Sequence, residues 1–140
     1  MRFLSRLSYL LRRWHYGRRW QRWNTAQRGQ KGEALAAAYL RTFGLAVICR
    51  NWRRGKHELD LVMRDGDVLV FVEVRTRPAD ASVPGFETLT AGKRQALRQG
   101  MEDYLRRVPR QPRTWRFDMV EVNHHDDGRL ACAHYAGIRL

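Results

Sequence analysis

The chain is predicted to fold as a mixed α/β sandwich, a small sheet flanked by helices, in the order helix, three strands, helix, and one or two further strands. Three observations predict this. Residues 28–43 and 91–108 carry apolar side chains at helical spacing, and short runs rich in Val, Leu and Phe lie between and after them. Those runs are apolar on both faces, with Leu59, Leu61 and Met63 expected on one side and Val62, Leu69 and Phe71 on the other. A sheet of that kind needs cover on both faces, which one helix on each side supplies.

Taken in order, residues 1–27 read as a basic, aromatic-rich N-terminal arm and residues 28–140 as a single domain. Phe3, Leu4, Leu7, Leu10, Leu11 and Trp14 recur at the spacing of a short amphipathic helix. Trp14, Tyr16, Trp20 and Trp23 then alternate with Arg18, Arg19 and Arg22, which suits base stacking beside phosphate contacts and suits a membrane interface equally well. The first domain helix, about Arg28 to Phe43, contains Gly32-Glu33-Ala34-Leu35-Ala36 and is stopped by Gly44. Glu33 is expected near its start, where the helix dipole favours a carboxylate. Leu45 to Trp52 reads as a strand, and Arg53-Arg54-Gly55-Lys56 as a basic turn. Thr76 to Leu89, with two prolines, is a loop; Thr90 caps a second helix from Ala91 to about Val108. Arg113 to Val122 is a strand, His124 to Gly128 a turn, and Arg129 to Tyr135 a last edge strand.

The centre of the chain carries the chemistry. Asp65-Gly66 is a hairpin turn signal between Leu61-Val62-Met63-Arg64 and Asp67-Val68-Leu69-Val70-Phe71-Val72. If those two residues form the turn, Arg64 faces Asp67, Asp60 faces Phe71, and Glu58 faces Glu73, with Asp60 diagonal to Glu73 on the same face. Like charges at that separation destabilise a sheet unless a cation lies between them or one carboxyl stays protonated. A hard divalent ion such as Mg2+, held by one or two carboxylates, meets the need.

Composition narrows the partners. The 140 residues hold 27 Lys and Arg against 14 Asp and Glu, a formal charge of +13, which favours nucleic acid first and an anionic membrane surface second. The first 31 residues contain nine of the basic residues and no acid. Cys49 and Cys132 lack a Cys-x-x-Cys spacing and read as reduced core thiols of a cytoplasmic protein. Paired His124-His125 and Asp126-Asp127 diverge along the backbone and read as a solvated turn. No glycine-rich phosphate loop, zinc-finger spacing or Ser/His/Asp arrangement is present.

In order and spacing, several motifs are similar to the YraN-like family of small proteins with a restriction-endonuclease-like fold, distantly similar to archaeal Holliday junction resolvases. They are Lys31-Gly32-Glu33, Arg50-Asn51-Trp52, Glu58-Leu59-Asp60-Leu61, Leu69 to Arg77, Lys93, and Arg116-Phe117-Asp118. The resemblance spans about residues 28–122. It implies a PD-(D/E)xK nuclease pattern with Asp60, Glu73 and Arg75 as catalytic positions. It further implies Mg2+ or Mn2+ held by Asp60, Glu73 and the Val74 carbonyl, with Glu33 or Glu58 as a further ligand or supporting partner. Two positions depart from the pattern: Arg75 stands where the lysine is usual, and His57 where a glycine is. The implied activity is endonucleolytic hydrolysis of DNA, branched or single-stranded forms included; the alternative is a nucleic-acid-binding protein that keeps the fold without turnover. Arg53, Arg54, Lys56, Arg77, Lys93 and Arg94 are the expected nucleic-acid contacts, and a symmetric dimer is expected wherever two strands are cut.

Overall fold

A computed structural model describes residues 14, 15 and 18–140. The elements are β1 (Trp14–His15), α1 (Arg18–Arg22), α2 (Thr25–Arg41), β2 (Ala46–Arg54), β3 (His57–Asp65), β4 (Val68–Pro78), a 3-10 turn (Gly85–Thr88), α3 (Ala91–Leu105), β5 (Thr114–His124) and β6 (Arg129–Tyr135). One six-stranded sheet has the order β1-β6-β5-β4-β3-β2. All pairings are antiparallel except β4 with β5, which are parallel and joined through α3. This is the mixed α/β sandwich expected, with α2 and α3 on opposite faces.

Each helix caps one of two apolar layers. Leu35, Ala36, Tyr39 and Leu40 of α2 pack with Leu61, Met63, Val70, Val72, Val120 and Val122. Leu97 and Met101 of α3 pack with Val62, Leu69, Phe71, Phe117 and Met119. Two glycines permit the close approach of helix and sheet. A Cβ on Gly32 would meet Thr76 Oγ1 at 2.5 Å, and one on Gly100 would meet Leu59 Cδ2 at 3.3 Å.

The N-terminal boundary differs from expectation. Asn24 caps α2 through a reciprocal box with Gln27, so the helix begins at Thr25 and a boundary at residue 27 falls inside it. Trp20 is 2% exposed and joins the α2 layer with Trp23 against it. These two rings are therefore core, not a stacking platform. Trp14 lies in a two-residue strand that pairs with β6, so β6 is not the edge and the helix expected through Trp14 does not reach it. The rest of that amphipathic stretch, residues 1–13, lies outside the described residues. No described helix is long and apolar enough to cross a membrane. Cys49 and Cys132 are free and half-buried, and burial pushes the Cys132 thiol up to about 12.

Candidate functional site

The β3–β4 turn is Gly66-Asp67, with Gly66 at φ 57, not Asp65-Gly66. Glycine leading a two-residue loop is the arrangement the II′ hairpin class requires. The register is Asp65↔Val68, Met63↔Val70 and Leu61↔Val72. Relative to the expected register every partner moves by two residues, so faces are kept but neighbours change. Asp60 comes level with Glu73, where the sequence count had placed it diagonally.

The ladder stops at Leu61↔Val72, and the reason is a kink one residue further on. Leu59 packs with α3, on the same side as Val62, although strict alternation puts it with Leu61 on the α2 side. The neighbouring strand bends in step: Cys49 and Trp52, three apart, both lie against the α3 layer. Pairing runs to Arg50↔Leu61 and resumes at Trp52↔Leu59, skipping Asn51 and Asp60. Asn51 has φ 50, a left-handed conformation that asparagine adopts more readily than most side chains. The two strands thus reverse their faces together at one step.

That step aims Asp60 into the gap between strands. Its Oδ2 accepts the Val74 backbone N–H at 2.8 Å, replacing the carbonyl an unbroken ladder would have offered. An extended residue presents N–H and C=O to the same neighbouring strand, so the Val74 carbonyl faces this gap as well. Burial, then the Glu73 carboxylate, push the Asp60 carboxyl up to about 7, against the Val74 hydrogen bond that lowers it. Glu73 is 5% exposed. Its Oε1 lies 3.0 Å from Lys93 Nζ and 3.3 Å from Arg75 Nε. The Arg75 Nε is buried and makes no hydrogen bond, so that contact is electrostatic in distance but not in donor geometry.

The other expected residues fall into place less directly. Glu33 sits in the middle of α2, so the dipole at the helix start does not act on it. Burial raises its pKa, a hydrogen bond from Asn51 opposes this, and Glu58 and Glu73 add to the rise. Glu58 does not oppose Glu73; beyond the kink it pairs with Arg53 at 2.6 Å and is exposed. Arg53 and Arg54 end β2 and only Gly55-Lys56 form the turn; all three basic residues are exposed. Arg54 approaches Asp103 at 3.9 Å. Arg77 donates to Val83 O at 2.6 Å and meets Glu121 at 3.4 Å, which fixes the loop before α3. Arg94 is spent on three carbonyls, Leu89, Phe86 and Arg139. Both arginines hold the scaffold.

Two residues were missed. Asn51 sits where asparagine is disfavoured in a strand, and that anomaly was the available signal. Glu121, 4% exposed within the apolar run of β5, accepts the Gly85 N–H and holds the same loop as Arg77. An acid inside an apolar strand announces a buried partner.

The donor set that converges is two carboxylates and one carbonyl. Among the described residues no group of three or more His, Cys, Asp or Glu is placed to hold a metal ion. All-oxygen donors of this number fit Mg2+ or Mn2+, which take one or two carboxylates and complete their shell with water and phosphate oxygens.

Residues 32–122 match the model of an uncharacterised protein family, UPF0102. The chain belongs to the UPF0102 family. This is the YraN-like family its motifs resemble, and Glu33, Asp60, Glu73, Lys93 and Glu121 all fall within the matched span. A UPF0102 protein of Symbiobacterium thermophilum is 45% identical over 105 residues, covering 74% of this chain and 88% of the relative. One from Pseudomonas aeruginosa is 43% identical over 104 residues (74% and 83%), and one from Dichelobacter nodosus 42% over 106 residues (73% and 84%).

Proposed function

We propose that this UPF0102 protein is a divalent-metal-dependent endonuclease that hydrolyses phosphodiester bonds in DNA. The observation that carries the reading is the meeting of Asp60, Glu73 and the Val74 peptide in a gap that a strand kink opens for them. Asp60, Glu73 and the Val74 carbonyl would hold Mg2+ or Mn2+. When bound, such an ion lowers the pKa of a coordinated water and offsets charge gathering on the phosphate.

The protein's own cations divide the remaining work. Arg75 cannot act as a base, because a guanidinium does not give up its proton, but its partly exposed fork beside Glu73 can donate to a phosphate oxygen. Lys93 takes the part of the lysine that Arg75 displaces: its ammonium reaches Glu73 from α3 on a flexible stem. It neutralises Glu73 in the resting site and is free to turn to the phosphate or the attacking water when an ion takes over that carboxylate. Thr90 caps the first turn of α3 and Arg94 ties that turn to the flanking loop, so the Lys93 backbone is held firmly.

A second reading, a nucleic-acid-binding protein without turnover, is favoured by one observation: two cations already lie against Glu73. Purified protein separates the two. Cleavage of single-stranded, duplex or branched DNA that requires Mg2+ or Mn2+ and is lost in Asp60→Asn supports the nuclease. Binding to all three substrates with cleavage of none overturns it.

A further inference from the structure

Three exposed arginines line a cleft of about 510 Å3 at the far end of α3, formed by the β3–β4 hairpin tip and the segment leading into β5. They are Arg64, from the end of β3, and Arg110 and Arg113. None makes an ion pair or side-chain hydrogen bond among the described residues. Asp65, next to Arg64 in the chain, is committed to Arg116 at 2.9 Å. Among the described residues Asp67 is the one carboxylate lining the cleft, so the three arginines leave it net positive. The loop that presents the arginines is pinned, because Gln111 donates to Leu105 O at 2.6 Å. Three like charges held around one concavity repel one another, and an anion removes that cost.

Position identifies the anion. Arg64 and Leu69 line the cleft from the α3 side of the sheet, the side from which Lys93 reaches Glu73. Four residues of strand separate Arg64 from Asp60, about 13 Å at about 3.3 Å per residue, and Gly66 at the hairpin tip lies six residues away, about 20 Å. Duplex DNA covers that range in about four to six base pairs at about 3.4 Å each. We propose that the Arg64–Arg110–Arg113 cleft is a second DNA-backbone contact that grips the duplex about four to six base pairs from the phosphate held at Asp60 and Glu73. The inference rests on the nucleic-acid reading of that site but not on turnover.

The test is binding of a fluorescein-labelled duplex of about 24 base pairs in EDTA, where no metal-dependent cleavage occurs, followed by anisotropy across a salt series. Each phosphate contact contributes about 0.9 to the slope of log K against log salt. Arg64→Glu with Arg110→Glu and Arg113→Glu is expected to lower that slope by about 2 to 3 and to weaken binding at least about tenfold near 0.1 M salt. The corresponding Gln variant should weaken binding less, with the same change in slope, and guards against misfolding from three new acids. A charge-matched control at exposed arginines away from the cleft, Arg41→Glu with Arg50→Glu and Arg129→Glu, should change affinity far less. Equal losses in control and cleft variants, or wild-type binding by a cleft variant of unchanged melting temperature, overturn the cleft and leave the Asp60–Glu73 reading standing. Wild-type protein that binds no duplex overturns both.

Discussion

Replacing Asp60 with Asn should stabilise the metal-free protein while removing its response to metal, an inversion of what a merely structural aspartate would do. The carboxyl ordinarily titrates at 3.8 and here at about 7, raised by burial and by Glu73. At about 1.4 kcal/mol per pH unit, ionising it costs the fold no more than about 4 kcal/mol. Because Asp60 and Glu73 share one charge field, a net cost of about 2 kcal/mol is expected near pH 8. The sign follows from proton counting. The folded carboxyl keeps its proton up to about pH 7 while the unfolded one releases it near 4, so stability is full below about pH 4 and falls as pH rises to about 7. An asparagine keeps an oxygen for the Val74 amide, turns an N–H toward Glu73, and carries no charge. Thermal denaturation should place Asp60→Asn about 5 °C above the wild type near pH 8 and level with it near pH 4. Millimolar Mn2+ should raise the wild-type melting temperature and leave the variant unmoved. A variant no more stable than the wild type near pH 8, or one that Mn2+ stabilises equally, refutes the reasoning.

Lys93→Ala should bind Mn2+ about tenfold more tightly, since an ammonium 3.0 Å from Glu73 no longer competes, while cleavage falls by at least about a hundredfold; weaker Mn2+ binding would show that Lys93 only supports the fold. Arg94→Ala strands three carbonyls and should cost about 1 to 3 kcal/mol by urea denaturation without altering the salt slope of DNA binding. Trp20→Ala should cost about 3 to 5 kcal/mol, because the ring is core; a loss below about 1 kcal/mol would remove it from the core.

Much of the fold was legible because its signals are local. Thr90 was placed as a cap and is one, accepting the Lys93 N–H at 3.2 Å. The run from Leu69 to Val72 reads as a strand because it is β-branched, apolar and bounded by Gly66. The turn alone puts Asp60 and Glu73 on one face, and that placement holds although the turn lies one residue further on, because a two-residue slip of partners preserves the face. The scaffold bonds of Arg77 and Arg94 are invisible in the sequence for the opposite reason. An arginine looks the same in sequence whether its guanidinium meets solvent or three carbonyls, and the partners here come from segments up to 45 residues away.

The sequence alone determined the element order, the helix cap at Thr90, the charge that favours a polyanion, and two carboxylates within reach of each other. Tertiary structure decided how those carboxylates are used. The αL turn of Asn51 and the skipped pairing at Asp60 reverse the faces of two strands, which sends Glu58 to solvent and Leu59 to α3. Period-two counting assumes an unbroken pleat, and a kink ends its validity at the very residue it is counted toward. The parallel pairing of β4 with β5 likewise fixes where α3 lies, and so puts Lys93 on Glu73, twenty residues apart in the chain, through a contact no local pattern encodes.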